Sequence, residues 1–225
     1  AVLNRARAAI ARMQEAHLSK YNCFEPQAPV PKPGYVLVID QTRGDASVRA
    51  SRADRNRFLE MLFVAQEENP GAPVVIKTHP ETALGLREGH YQQSDCTDRV
   101  QLFDQPASPW ALLAGAIAVY TVSSGLGFEA ILAGHRPRVF GGPFYAGWGL
   151  TADEWQFPRR QKKLTRAQLF AGAMILYPTW YDPFRDRLAT IEDTIGVLES
   201  ATRAWREDHK GWVASGMRLW QRAPL

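Results

Sequence analysis

Residues 35–47 read YVLVIDQTRGDAS, an apolar run that turns at Asp40 into a loop carrying carboxylates, an amide, an arginine and a glycine. A short continuous apolar run rich in β-branched residues is the pattern of a strand buried on both faces, as in a parallel sheet covered by helices. Everything downstream keeps the alternation that this strand begins. SRADRNRFLEMLFVAQEENP (51–70) has a helical pattern, with Ser51 as its expected cap and Pro70 and Gly71 as its stop. PVVIK (73–77) and RVQLF (99–103) read as strands. A helix capped at Ser108 and running to about Ala116 follows, then IAVYTV (117–122) as a strand, SGLGFEAILAGH (124–135) as a helix and RVF (138–140) as a further strand. Strands alternating with helices at this spacing predict an α/β fold with a Rossmann-like, doubly wound parallel sheet.

Upstream, VLNRARAAIARMQEAHLSKY (2–21) places Leu3, Ala6, Ile10, Met13 and His17 at helical spacing, and EPQAPVPKPG (25–34) reads as an extended linker. Downstream, LTRAQLFAGAMILYP (164–178) and DRLATIEDTIGVLESATRAW (186–205) are expected helices. The tail carries Trp212 and Trp220. Arg218, Trp220 and Arg222 admit a membrane-facing reading, but packing against the core or another lobe is preferred.

Composition narrows the function. With 225 residues, 45% of them hydrophobic, the chain can bury one substantial core. Its 27 Lys and Arg against 23 Asp and Glu leave a net charge of +4, spread along the chain. Nucleic acid is therefore not the expected partner; a nucleotide phosphate or an anionic lipid surface suits the charge as well. The densest basic stretch, PRRQKKLTR (158–166), reads as a solvated loop. Cys23 and Cys96 have neither disulfide-framework nor metal-site spacing, which favours a reducing compartment. The longest strongly apolar run, WALLAGAIAVY (110–120), falls short of the ~20 residues of a spanning helix. No signal peptide is recognisable and the first residue is not Met, so a piece of a longer protein is expected.

In a doubly wound sheet, ligands bind outside the carboxyl ends of the strands. DQTRGD after the first strand, THPE after the second, SSGLG after IAVYTV and GGPFYAGWG after RVF all fall there. Ser123, Ser124 and Gly125 open a helix with hydroxyls and exposed N–H groups where a phosphate can sit, or they simply cap it; Glu129, one turn on, is placed to accept from a ribose. His79, fixed by Pro80, is a donor for a leaving phosphate. Asp40 and Asp45 are candidates to accept a proton or attack an anomeric carbon, with Gly44 delivering Asp45, or else they cap the turn and pair with Arg43 or Arg49. The loop 141–151 is either a mobile flap, with Tyr145 and Trp148 facing an acceptor, or a packed loop whose aromatics complete the core.

VLVIDQTRGDAS, VIKTHPE, VSSGLGFEAILAG and FGGPFYAGWGLT, in this order, resemble the capsule polysaccharide synthesis family that includes the bacterial β-Kdo transferases of the KpsC type. The resemblance covers about residues 21–181. It implies a GT-B-like glycosyltransferase that moves the sugar acid Kdo from CMP-β-Kdo to a lipid-linked saccharide acceptor with retention, through an Asp nucleophile. The donor lobe would span 34–180, after a leading helix and Pro-rich linker (1–33) and before a C-terminal helical segment (181–225). Donor-binding residues would be Gln41, Lys77, His79, Pro80, Ser123, Ser124, Gly125 and Glu129. Asp45 is the preferred nucleophile and Asp40 the second choice, with Lys77 or Arg43 on the sugar carboxylate. No metal and no cofactor are expected. The other implied partners are a missing N-terminal lobe or second module and the inner-membrane surface, in the cytoplasm. Two rivals stay open: another GT-B-like enzyme such as a nucleotide-sugar 2-epimerase, and a non-catalytic nucleotide- or glycan-binding module.

Overall fold

Strand β1 (Tyr35–Ile39) is buried at every position, because helices cover both of its faces. Tyr35, Leu37 and Ile39 point into one apolar layer, and Val36 and Val38 into the other. The structure, a computed structural model, describes residues 1–208. The expected roles of Trp212, Arg218, Trp220 and Arg222 lie outside the described residues.

Around β1 stand β2 (Val74–Lys77), β3 (Val100–Phe103), β4 (Ala116–Thr121), β5 (Arg138–Val139) and β6 (Ala152–Asp153), the last a short edge strand that the sequence pattern does not announce. The order is β3-β2-β1-β4-β5-β6 and every neighbouring pair is parallel. This is the dinucleotide-fold order, which reverses direction between β1 and β4 and opens a crevice there. One face is covered by α1 (Val2–Glu15), α5 (Pro109–Gly115), α6 (Gly125–Ala133), α7 (Arg166–Phe170) and α8 (Ile191–Glu207). The other carries α2 (Ala46–Ala50) and α3 (Arg55–Glu68), whose Phe58, Met61, Leu62 and Ala65 meet Val36, Val38 and Ile76. The four-residue α4 (Pro80–Ala83) follows β2.

Several helix limits differ from those the sequence suggests, each for a local reason. Ser51 does not cap the long helix: it ends α2, Arg52 turns with a φ of 47°, and Asp54 caps α3 by accepting the N–H of Arg57 at 3.2 Å. Helix α1 stops at Glu15, since His17 takes a φ of 51° and the N–H of Leu18 bonds the Met13 carbonyl at 2.8 Å. The stretch after α7 winds as a π-helical turn (Ala171–Leu176). Residues Trp180–Asp182 (β7) and Arg187–Ala189 (β8) form an antiparallel hairpin, so the last helix begins only at Ile191, where Thr190 and Asp193 form a capping box. Arg5–Glu192 and Arg12–Glu199 ion pairs, 2.7 and 2.6 Å, join α8 to α1.

The loop 141–151 is packed, not a free flap. Tyr145 is fully buried and donates its hydroxyl to the Ser124 carbonyl at 2.6 Å. Trp148 donates Nε1–H to the Phe144 carbonyl, and Arg160 lies over its ring while holding the carbonyls of Pro143 and Ala146, each at 2.7 Å. The acceptor-facing expectation is thereby corrected for Tyr145, which completes the core, while Trp148 is half-buried and packs against the edge of that core.

Two glycines of α6 make a paired test of this packing. A Cβ on Gly127 would fall 2.3 Å from the Tyr145 hydroxyl and 2.8 Å from Thr121 Cγ2, whereas one on Gly125 would meet nothing within 4 Å. Gly127→Ala is expected to destabilise the chain by roughly 1–3 kcal/mol through overpacking, and Gly125→Ala to leave stability unchanged or slightly raised. Urea unfolding of the two variants checks this.

Candidate functional site

The crevice between β1 and β4 is bridged by one side chain. Gln41, directly after β1, is buried; its Oε1 accepts the N–H of Ser123 at 2.9 Å, and its Nε2 donates to Ser123 Oγ at 3.2 Å and Ser47 Oγ at 3.3 Å. Ser123 Oγ also lies 3.0 Å from Ser47 Oγ. The loops after β1 and β4 are thus locked together. Ser47, which the sequence reading passed over, continues the chain to Asp45: its N–H and hydroxyl both donate to Asp45 Oδ1, at 2.6 and 2.7 Å.

Asp45 therefore caps α2 while remaining only half-buried. Burial raises its pKa, but the Ser47 bonds, a backbone N–H from Val48 and the charge of Lys20 outweigh that, and the net displacement is downward. It is an ionised carboxylate whose Oδ2 makes neither of the Ser47 bonds.

Asp40 has a different task. It is buried, and its carboxylate accepts the backbone N–H groups of Gln41 at 2.8 Å, His90 at 3.0 Å and Tyr91 at 3.5 Å. Burial pushes it up to about 6 despite those donors. Gly89 leaves it room, since a Cβ there would sit 2.2 Å from Oδ2. Asp40 braces the segment 89–91 and is not presented to the crevice as a nucleophile.

His79 caps α4, and its Nδ1 accepts the N–H of Glu81 at 3.2 Å. With Nδ1 accepting, a neutral imidazole carries its proton on Nε2. Burial keeps it neutral by lowering its pKa, with Glu81 and Asp45 pulling upward and Lys20 and Arg87 downward. Pro80 supplies the first residue of α4, where its missing N–H does no harm. Nε2 faces the hydroxyl of Tyr21 at 3.3 Å, and the two rings meet edge to face. Lys20, exposed, lies over the Tyr21 ring with Nζ 5.1 Å from its centre. Neither Lys20 nor Tyr21 was flagged by sequence: they arrive from the strap between α1 and the Pro-rich linker, which no motif marks.

Ser124 caps α6, its Oγ accepting the N–H of Leu126 at 3.3 Å, and the space beside Gly125 is open. Three other expected donor residues are employed elsewhere. Lys77 donates to the Gln105 carbonyl at 3.2 Å and lies over Phe103, on the β3 side; burial pushes it down to about 8 against the pull of Asp104. Arg43 pairs with Glu88 at 2.6 Å. Glu129 is buried beneath the strap, where Oε1 accepts from Ser19 Oγ at 2.7 Å and Oε2 has no partner among the described residues. Burial pushes its carboxyl up to about 7, against bonds from Ser19 and the backbone of Lys20. In this arrangement Glu129 anchors the strap and is shielded from the crevice.

The sequence matches the capsule polysaccharide biosynthesis protein family over residues 3–180. The chain belongs to that family. It is 35% identical over 233 residues to the capsule polysaccharide modification protein LipA of Neisseria meningitidis serogroup B, a match covering 98% of this chain and 33% of LipA. It is also 35% identical over 201 residues to the lipopolysaccharide-processing protein LpsZ of Rhizobium meliloti, covering 88% of this chain and 46% of LpsZ. Among solved structures it is similar to the β-Kdo 2,4 transferase of Thermosulfurimonas dismutans KpsC, with 39% identity and a TM-score of 0.82 over 88% of this chain and 63% of that one. The β-Kdo 2,7 transferase of the same KpsC follows at 28% identity and a TM-score of 0.69, over 88% of this chain and 61% of that one. This capsule polysaccharide biosynthesis chain therefore spans about one third of the length of LipA. Among its described residues no helix is long and apolar enough to cross a membrane, and no three His, Cys, Asp or Glu side chains are grouped to hold a metal ion.

The family member's buried carboxylate Glu129 gives a pH signature. Its folded pKa of about 7 lies above the ordinary glutamate value of 4.5, so its contribution to stability is full below pH 4.5 and is lost as pH rises through 7. That displacement corresponds to roughly 3 kcal/mol at most. Glu129→Gln is expected to flatten the fall in stability between pH 5 and pH 8, as read by urea unfolding across that range; an unchanged slope would refute the assignment.

Proposed function

We propose that this chain is the donor-binding lobe of a retaining glycosyltransferase that moves β-Kdo from CMP-β-Kdo to a lipid-linked saccharide acceptor. The observation that carries the reading is the convergence of neutral His79, the Ser123–Ser124 turn and ionised Asp45 on one crevice, in a chain 39% identical to a β-Kdo 2,4 transferase. The CMP phosphate sits at the open N-terminus of α6 beside Gly125, where helix N–H groups and the macrodipole favour an anion. Lys20, exposed near both His79 and Asp45, is the cation assigned to the sugar carboxylate, in place of Lys77 and Arg43.

Retention follows from two inversions. Asp45 Oδ2 attacks the anomeric carbon as the bond to the phosphate oxygen breaks, its electron pair leaving on CMP, towards which His79 Nε2–H donates. The acceptor hydroxyl then attacks the same carbon from the face the phosphate left, gives its proton to a base, and displaces the Asp45 carboxylate. A carboxylate held below its usual pKa is ionised at neutral pH and leaves readily in the second step. The acceptor site belongs, on this reading, to another lobe or module of the same protein working at the inner-membrane surface in the cytoplasm, and no metal takes part.

Isothermal calorimetry on this chain with CMP and with UMP tests the donor. CMP should bind in preference to UMP, and His79→Ala should weaken CMP by about tenfold or more. A preference for UMP would favour the 2-epimerase rival. In the full-length protein, Asp45→Asn should lower transfer at least about 10³-fold with CMP binding retained. Undiminished transfer would remove Asp45 from the chemistry, and CMP binding without any transfer by the full-length protein would favour a non-catalytic module.

A further inference from the structure

The strap 17–22 is held far more firmly than a linker between a helix and a proline-rich stretch requires. His17 Nδ1 lies 2.6 Å from Ser108 Oγ. The Leu18 carbonyl accepts Trp110 Nε1–H at 2.8 Å. Ser19 donates to Glu129, and buried Asn22 exchanges hydrogen bonds with Ser19, accepting its N–H at 2.9 Å and donating to its carbonyl at 2.7 Å. These bonds fix both residues that flank Lys20 and Tyr21. The ring they deliver lands on the His79 imidazole.

We propose that Tyr21 is a further residue of the donor site, aligning the His79 imidazole and completing with its Nε2–H a two-donor clamp for phosphoryl oxygens. The inference rests on the donor-lobe reading. At 3.3 Å the Tyr21–His79 contact is long for a hydrogen bond, so it orients the ring without consuming the Nε2 proton. The edge-to-face packing of the rings fixes the imidazole plane, and Nδ1 is already occupied by the Glu81 N–H. An arriving phosphoryl oxygen shares Nε2–H, and the Tyr21 hydroxyl proton, which no other acceptor among the described residues takes, is donated to a second oxygen. The charged groups around His79 are Glu81, Asp45, Lys20 and Arg87; the first two favour its cationic form and the last two oppose it.

Tyr21→Phe is the test, because it removes the hydroxyl while keeping the ring against His79 and beneath Lys20, and its melting temperature should match that of the unaltered chain. Nitrogen NMR of the His79 imidazole in the ligand-free chain is the first arm. Tyr21→Phe should shift Nε2 and speed exchange of its proton, and unchanged resonances would overturn the positioning role. The second arm is calorimetry with CMP. Tyr21→Phe should weaken CMP by about fivefold, and should do markedly less in a His79→Ala background, since the two groups act as a pair. Losses that simply multiply would overturn the clamp. If neither the unaltered chain nor any variant binds CMP, the donor-lobe reading fails, and the NMR arm still decides whether Tyr21 positions His79.

Discussion

The site depends on the carboxamide of Gln41. It sits at the point where the strand order reverses, and every polar atom it carries is engaged by the loop across the reversal or by Ser47. A buried amide left without partners costs on the order of 1–3 kcal/mol, so the bonds are made together or the loops separate. Once they are made, the distance between the end of β1 and the start of α6 is fixed. Ser47 is then held where it can pin Asp45, and one amide sets the position of both the Ser123–Ser124 turn and the Asp45 carboxylate.

Two buried carboxylates that look chemically poised serve this frame from behind. Asp40 gathers three backbone N–H groups and thereby shapes the segment that borders the opening loop. Glu129 does the same for the strap through Ser19. Both are raised by burial, the effect of desolvating a carboxylate. Asp45 is displaced the other way because it is half-exposed and hydrogen-bonded as an anion. The three carboxylates thus differ in exposure: Asp40 and Glu129 are buried behind the backbone they hold, and Asp45 is half-exposed in the opening loop.

The alternation of strands and helices was legible because each buried strand is a continuous apolar run and each crossover helix has its own periodicity. All strands expected from Tyr35 to Phe140 are present in parallel order. The loops of the crevice were equally legible, since the carboxyl-edge rule needs only the strand ends. What escaped is what depends on side-chain direction. Lys77 ends β2, yet its amine reaches sideways to Gln105. Tyr145 lies in a glycine-rich loop, yet Arg160, seventeen and fourteen residues from the carbonyls it grips, folds that loop onto the core. Tyr21 precedes the sheet altogether and reaches His79 across 58 residues, a contact that no local pattern encodes.

The central claim is that the β1–β4 crevice receives a cytidine monophosphate at the α6 N-terminus. The most direct measurement is nitrogen–proton NMR of this chain during titration with CMP. The account requires the largest shifts at the backbone amides of Ser123, Ser124 and Gly125, at the Gln41 carboxamide and at the His79 ring, with the amides of α8 unmoved. Shifts concentrated elsewhere, or amides of the α6 N-terminus that stay still while CMP binds, would contradict it.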